Sequence, residues 1–256
     1  MSEITNIIKH LSPHVEWTVI DEIGIISLNN PPQNYLEKPA IVQIDTLKNE
    51  IELSKVKGII KVGKGRHFSA GANMKELKEL ASNSEVLKSE MMLGKEILNY
   101  IENLYIPVIS VVKGACFGGG LEIALASHII ICAENALFAF PEVNYDIMPG
   151  LGGTVRLPRK IGVAKSLEIM LSGDIVDAQT AHTIKLADKV LPVNEVFEYS
   201  VNLMRKMTSD RSLKVINYIV KSLQNSRELT FQQAMHEETR MFSDLAVDEI
   251  FRNKNK

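Results

Sequence analysis

The stretch Ile106–Gly153, IPVISVVKGACFGGGLEIALASHIIICAENALFAFPEVNYDIMPGLGG, constrains this chain more than any other. Ile106–Val112 is rich in β-branched residues and reads as a buried strand. Gly114–Gly120 reads as a glycine turn, and Leu121–Ala126 as the start of a helix that is apolar on nearly every side, hence buried. Ser127–Ala133 and Ala136–Phe140 follow as further strands, and a glycine-bearing loop closes the stretch. Strands that alternate with helices in this way predict an α/β fold with parallel pairing.

Within this apolar stretch stand two carboxylates, Glu122 and Glu142. An unpaired carboxylate is costly to bury, so Glu122, flanked by Leu121, Ile123, Ala124 and Leu125, has either a bonded partner or a chemical task. It follows Gly118-Gly119-Gly120, where a helix begins and its first N–H groups have no internal acceptor. Glycines there remove the side chains that would keep a ligand away. The turn can therefore present an N–H to a developing oxyanion, and the Ala70-Gly71 segment after another strand can present a second. Glu142 follows Pro141 at the end of a strand, where sites form in α/β folds. Two carboxylates beside two converging amides suit proton removal and delivery next to a carbonyl. The plainer alternatives are a helix-holding salt bridge for Glu122, a loop carboxylate for Glu142 and a tight turn for the glycines.

The rest of the chain frames that centre. Met1–His14 reads as a loose leader, Val15–Ile20 and Ile23–Leu28 as a hairpin turning at Asp21-Glu22, and Asn29-Asn30-Pro31-Pro32 as a breaker. Ile41–Leu53 and Val86–Leu104 have helical spacing, and Lys55–Val62 reads as a strand ending at Gly63-Lys64-Gly65. A charged helix is expected over Lys75–Leu80, with a flexible segment around Lys78–Met92. Six helices are expected after Gly153, with Asp177 and Thr230 as N-caps. The division this suggests is a core over 1–200 and a helical region over 201–256.

Several function classes fall away. A formal charge of -2, with no basic stripe, argues against nucleic acid as a partner. The six histidines are scattered and the two cysteines, Cys116 and Cys132, have no ligand spacing, so no metal site and a reducing compartment are expected. There is no phosphate-loop or dinucleotide glycine motif, and His67-Phe68-Ser69-Ala70-Gly71 lacks the first glycine of a serine-hydrolase elbow. No basic-then-apolar leader and no long apolar span is present, so a cytoplasmic protein without membrane contact is expected.

Four segments together carry a resemblance: HFSAGANMKEL (67–77), IPVISVVKGACFGGGLEIALASHIII (106–131), FPEVNYDIMPGLGGTVRLPRKIG (140–162) and LSGDIVDAQTAHTIKLADKVLP (171–192). On these the chain resembles the enoyl-CoA hydratase/isomerase (crotonase) superfamily from about Val15 to Met207. The resemblance implies a spiral of ββα units with a helical C-terminal part that forms homo-trimers or hexamers. It implies an acyl thioester of coenzyme A as substrate, with no separate cofactor. The oxyanion amides map onto Ala70 and Gly119, the catalytic pair onto Glu122 and Glu142, and the substrate-binding residues onto Ser69, Gly71, Ala72, Asn73, Gly118, Pro149 and Gly150. In hydratases of this family the Glu122 equivalent activates water and the Glu142 equivalent exchanges a proton with the α-carbon. Retention of both favours an enoyl-CoA hydratase, with a 3,2-enoyl-CoA isomerase as the nearest alternative.

Three positions depart from the family pattern. Asn73 replaces the usual Asp, Gln33 replaces a basic residue near the nucleotide end of coenzyme A, and LAVDEIFRNKNK stands where a glycine- and phenylalanine-bearing helix is usual. The last two keep a carrier-protein thioester, as in polyketide-type biosynthesis, open beside coenzyme A.

Overall fold

A computed structural model describes residues 8–254 of the chain. Its main layer is a seven-stranded sheet: β1 (Lys9–Ser12), β2 (Val15–Ile20), β3 (Ile23–Leu28), β4 (Gly58–Gly63), β5 (Val108–Val112), β7 (Ile129–Ala133) and β10 (Lys189–Leu191), lying side by side in that order. The first two pairings are antiparallel and all later ones parallel. The hairpin between β2 and β3 is the expected one. Asp21 and Glu22 both take positive φ, 49° and 61°, the backbone that a two-residue turn needs to match strand twist.

A smaller sheet joins β6 (Ala115–Phe117), β8 (Leu137–Ala139) and β9 (Val176–Asp177). Parallel bridges from Leu36 to Ala72 and from Ser69 to Cys116 continue this stacking beyond it. Each winding of the chain thus adds one long strand, one short strand or bridge, and then a helix, which is the expected α/β spiral of ββα units. The helices of these windings are α2 (Met74–Ala81) and α3 (Ser84–Glu102) after β4, and α4 (Gly119–Leu125) after β5 and β6. Helix α1 (Ile44–Ser54) lies between β3 and β4.

The sheet is covered on both faces, which is why its strands are apolar runs rather than alternating ones. On one face Ile23, Ile60, Ile109, Val111 and Ile131 pack against Val196, Val201 and Met204 of α8 (Val196–Thr208). The other face meets Leu121 and Ala124 of α4, Ile97 and Ile101 of α3, and Leu47 of α1. Between β8 and α8 run α5 (Gly153–Ile161), α6 (Val163–Ser172) and α7 (Ala178–Thr183), the last capped by Asp177 through the Thr180 amide at 2.7 Å.

Helices α9 (Leu213–Glu228) and α10 (Phe231–Lys254) form the tail. Lys214 bridges Asp244 and Asp248 across them, each at 2.8 Å, and Gln224 ties α9 to the end of α3 through the Glu102 and Leu104 carbonyls. Residue 200 falls inside α8, so the part that leaves the sheet begins at α9.

Five segments differ from expectation. Part of the expected leader, Lys9–Ser12, is a strand, because β2 offers it a free edge; residues 1–7 lie outside the described residues. The Gly114–Gly120 turn contains β6, which pairs with β8. Two short strands, β9 and β10, were not foreseen; both add to an existing sheet edge. The segment expected to be flexible is helical on both sides of Asn83, whose side chain caps α3 through the Glu85 and Val86 amides.

Candidate active site

Helix α4 carries the first carboxylate inward. Glu122 is 2% exposed, and its Oε1 accepts from the Leu151 and Gly153 amides, both at 2.7 Å. Among the described residues it forms no salt bridge, and the nearby Arg156 bonds elsewhere. Burial raises the Glu122 pKa, and the two amides and the Arg156 charge pull against that rise. The carboxylate is thus held in one orientation by backbone donors that favour its charged form.

Glu142 stands in a short 3₁₀ helix, Pro141–Tyr145, after β8. A Cβ built at Gly118 would lie 2.6 Å from its Oε1, so the carboxylate rests on the glycine turn. Its Oε2 is buried with no hydrogen-bond partner among the described residues. Burial raises the Glu142 pKa to about 7, and the charge of Glu122 adds to the rise. The two glutamates therefore share one site but differ in setting: one is held by amides, the other is free to carry a proton.

The glycine turn brings the amides together. Gly118 takes φ 49° and ψ −122°, a backbone that side chains avoid, and donates its own N–H to the Ala139 carbonyl at 2.9 Å. The next N–H, that of Gly119, opens α4 and has no acceptor among the described residues. A Cβ at Gly71 would lie 2.8 Å from the Phe117 carbonyl and 3.7 Å from the Gly119 nitrogen, so the Gly71-Ala72 segment abuts the same turn.

Here the site departs from the expectation for Ala70. The Ala70 N–H donates to the Gln33 carbonyl at 2.9 Å and is not free. Gly71 donates to Ser69 Oγ at 3.2 Å, whereas the Ala72 N–H has no acceptor among the described residues. The unengaged amide thus lies two residues past the expected one. Ser69 also differs from its expected substrate contact. Its hydroxyl is fully buried, donates to the Asn34 carbonyl at 2.7 Å and braces the loop. Asn73 caps α2 through the Lys75 amide at 3.1 Å, a role that an amide oxygen fills as a carboxylate would.

Apolar side chains stand beside the glycine turn. Leu36 Cδ1 and Leu151 Cδ1 lie 2.9 and 3.8 Å from a Cβ built at Gly119. Pro149 is buried, and a Cβ at Gly150 would overlap Met91 Cε, so the 149–150 segment faces α3.

Arg156, 7% exposed on α5, did not emerge from the sequence. It donates to the Leu151 carbonyl at 2.7 Å, to Asn99 at 2.6 Å and to Glu102 at 2.7 Å. It thereby fixes the loop whose amides hold Glu122. An arginine among the apolar residues just past a glycine loop was the signal available for it.

Comparisons with known proteins identify the family. The sequence model of the family described as enoyl-CoA hydratase/isomerase matches residues 19–254. A Bacillus subtilis (strain 168) protein named "Probable enoyl-CoA hydratase" is 32% identical over 87% of this chain and 86% of its own length. The 2,3-dehydroadipyl-CoA hydratase of Escherichia coli (strain K12) is 32% identical over 88% of this chain and 87% of its own. Among solved structures, an enoyl-CoA hydratase from Bacillus anthracis superposes with a TM-score of 0.78 at 27% identity, covering 97% of this chain and 96% of that one. By sequence and by fold, the chain belongs to the enoyl-CoA hydratase/isomerase family.

Proposed function

We propose that this protein is an enoyl-CoA hydratase, with Glu122 and Glu142 as its catalytic pair. One observation carries the reading: two carboxylates of unlike setting flank one pair of unengaged amides. In hydration, Glu122 takes a proton from water as the water oxygen bonds to the β-carbon of a 2-enoyl thioester. The π electrons move onto the thioester oxygen, and the N–H groups of Ala72 and Gly119 hold the resulting enolate. Glu142 then delivers its proton to the α-carbon, giving a syn addition of water when both carboxylates lie on one face. Solvent resets the two glutamates, and dehydration is the same path in reverse.

A pKa near neutrality suits Glu142 to proton delivery, and backbone donors suit Glu122 to remain a base. Coenzyme A is the proposed carrier, as part of the substrate and not as a cofactor. Exposed apolar residues on α5, α6 and α10, among them Val163, Leu171, Phe231 and Phe242, support a homo-oligomer, proposed as a trimer or a dimer of trimers. Among the described residues no helix is long and apolar enough to cross a membrane.

The test is absorbance at the conjugated enoyl thioester band, with crotonyl-CoA and a longer 2-enoyl-CoA. Wild type loses the band, whereas Glu122→Gln and Glu142→Gln do not. Retention of the band by wild type, with migration of a 3-enoyl double bond, assigns the protein to isomerisation. Turnover only of thioesters on acyl carrier protein changes the carrier and keeps the chemistry.

A further inference from the structure

Lys61 lies in the middle of β4 with 2% exposure, among the largest fully buried side chains of the protein. It sits in an apolar run, Gly58–Gly63, and among the described residues it pairs with no carboxylate. Its Nζ instead donates to two backbone carbonyls, Ile123 at 2.5 Å and Ala126 at 2.7 Å. These belong to the last turn and the cap of α4, whose C-terminal carbonyls are short of partners as in any helix. Burying an amine this deeply is unfavourable unless its donors are satisfied. Here two acceptors meet it, and a neutral amine has two N–H groups to offer them. Burial brings the Lys61 pKa down to about 7, with Arg156 lowering it further and Glu102 and Cys116 pulling it up.

The same helix end has a second polar anchor. Ser110 stands opposite Lys61 in the β4–β5 register, and its hydroxyl meets that of Ser127, the residue after the Ala126 cap, at 2.8 Å. The C-terminal end of α4 is therefore bound by side chains from two central strands. The other end of this seven-residue helix carries the unengaged Gly119 amide, and its middle carries Glu122. A helix this short has no intervening flexible joint, so a shift of one end moves the other.

We propose that Lys61 is a positioning residue: by gripping the Ile123 and Ala126 carbonyls it sets α4 so that the Gly119 amide and the Glu122 carboxylate are aimed together at the substrate. The inference rests on the function proposed above. It adds a residue that touches neither substrate nor reacting atoms and acts only through the helix.

Two variants test it. Lys61→Met keeps length and apolar volume but removes both donors, and Lys61→Gln returns an amide donor on a shorter stem. The readouts are kcat and KM for crotonyl-CoA, and the near-ultraviolet enolate absorbance of acetoacetyl-CoA per bound molecule. The proposal expects kcat to fall at least tenfold in Lys61→Met at little-changed KM. It also expects a weaker enolate band per bound ligand, with Lys61→Gln between Lys61→Met and wild type. A purely structural role would lower the folded fraction and leave both kcat per folded site and the band per bound ligand unchanged; that result in Lys61→Met overturns the proposal. Wild type that neither hydrates crotonyl-CoA nor binds acetoacetyl-CoA would instead overturn the functional reading, and the role of Lys61 with it.

Discussion

The carboxylate of Glu142 rests on Gly118: a Cβ at position 118 would stand 2.6 Å from Oε1. Gly118 also holds φ 49° and ψ −122°, so an alanine there is strained in backbone and crowded in space. Because the next residue supplies the Gly119 amide, the strain reaches both halves of the site. Gly118→Ala is expected to lower kcat by about 100-fold and stability by about 1–3 kcal/mol. Steady-state kinetics beside chemical denaturation checks both. An active, stable Gly118→Ala protein contradicts the close contact.

Glu142 links stability to pH. Its folded pKa, about 7, lies above the ordinary 4.5, so the folded state keeps a proton that the unfolded state releases between those values. Stability contributed by this site therefore falls as pH rises from 4.5 to about 7, and stays down above that. The full swing is at most about 3 kcal/mol. Glu142→Gln removes it, so the variant gains on wild type between pH 5 and pH 8 in urea denaturation. On the proposed function the same proton bears on the rate, and kcat/KM for hydration is expected to fall above about pH 7. A flat difference in stability across this range excludes the raised pKa.

Arg156 joins three partners at once, the Leu151 carbonyl, Asn99 and Glu102. Removing a buried charge that is so engaged leaves its acceptors unpaired. Arg156→Met is expected to cost about 3 kcal/mol, and to lower kcat because the Leu151 amide no longer holds Glu122 in place. Differential scanning calorimetry and kinetics on the same preparation measure the two effects. A loss of stability with intact kcat per folded site separates the arginine from the glutamate.

Cys116 and Cys132 are fully buried, and burial pushes both thiols up, Cys132 to about 12. Neither is a thiolate near neutral pH. Native protein is expected to react with a disulfide reagent only as fast as it opens, and denatured protein to yield two thiols at once. A fast native reaction would show that one of the two is accessible.

The centre of the fold was legible because its signals are local. An apolar strand, a run of glycines and a helix apolar on all sides predict β5, the turn and α4 without knowledge of anything distant. The carboxylates stood out for the same reason, as charges in apolar surroundings. What the sequence hid depends on contacts made later in the chain or far from it. The strand β6 needs β8 beside it, and β1 needs the edge of β2. The Ala70 amide looked free until the Gln33 carbonyl was found on it, across a loop held by Asn34. Lys61 did not stand out, because the strand read from the sequence, Lys55–Val62, holds Lys55 and Lys57 as well. Its meaning came only with the helix end it grips.

The most direct test of the paired roles is exchange of the α-protons of butyryl-CoA in heavy water, measured beside hydration of crotonyl-CoA. On the proposed mechanism exchange uses Glu142 as base and the two amides to hold the enolate, but no attacking water. The account predicts that Glu122→Gln loses hydration and keeps exchange within several-fold of wild type. Glu142→Gln is predicted to lose both. Exchange that survives in Glu142→Gln and vanishes in Glu122→Gln would contradict the assignment of the two glutamates.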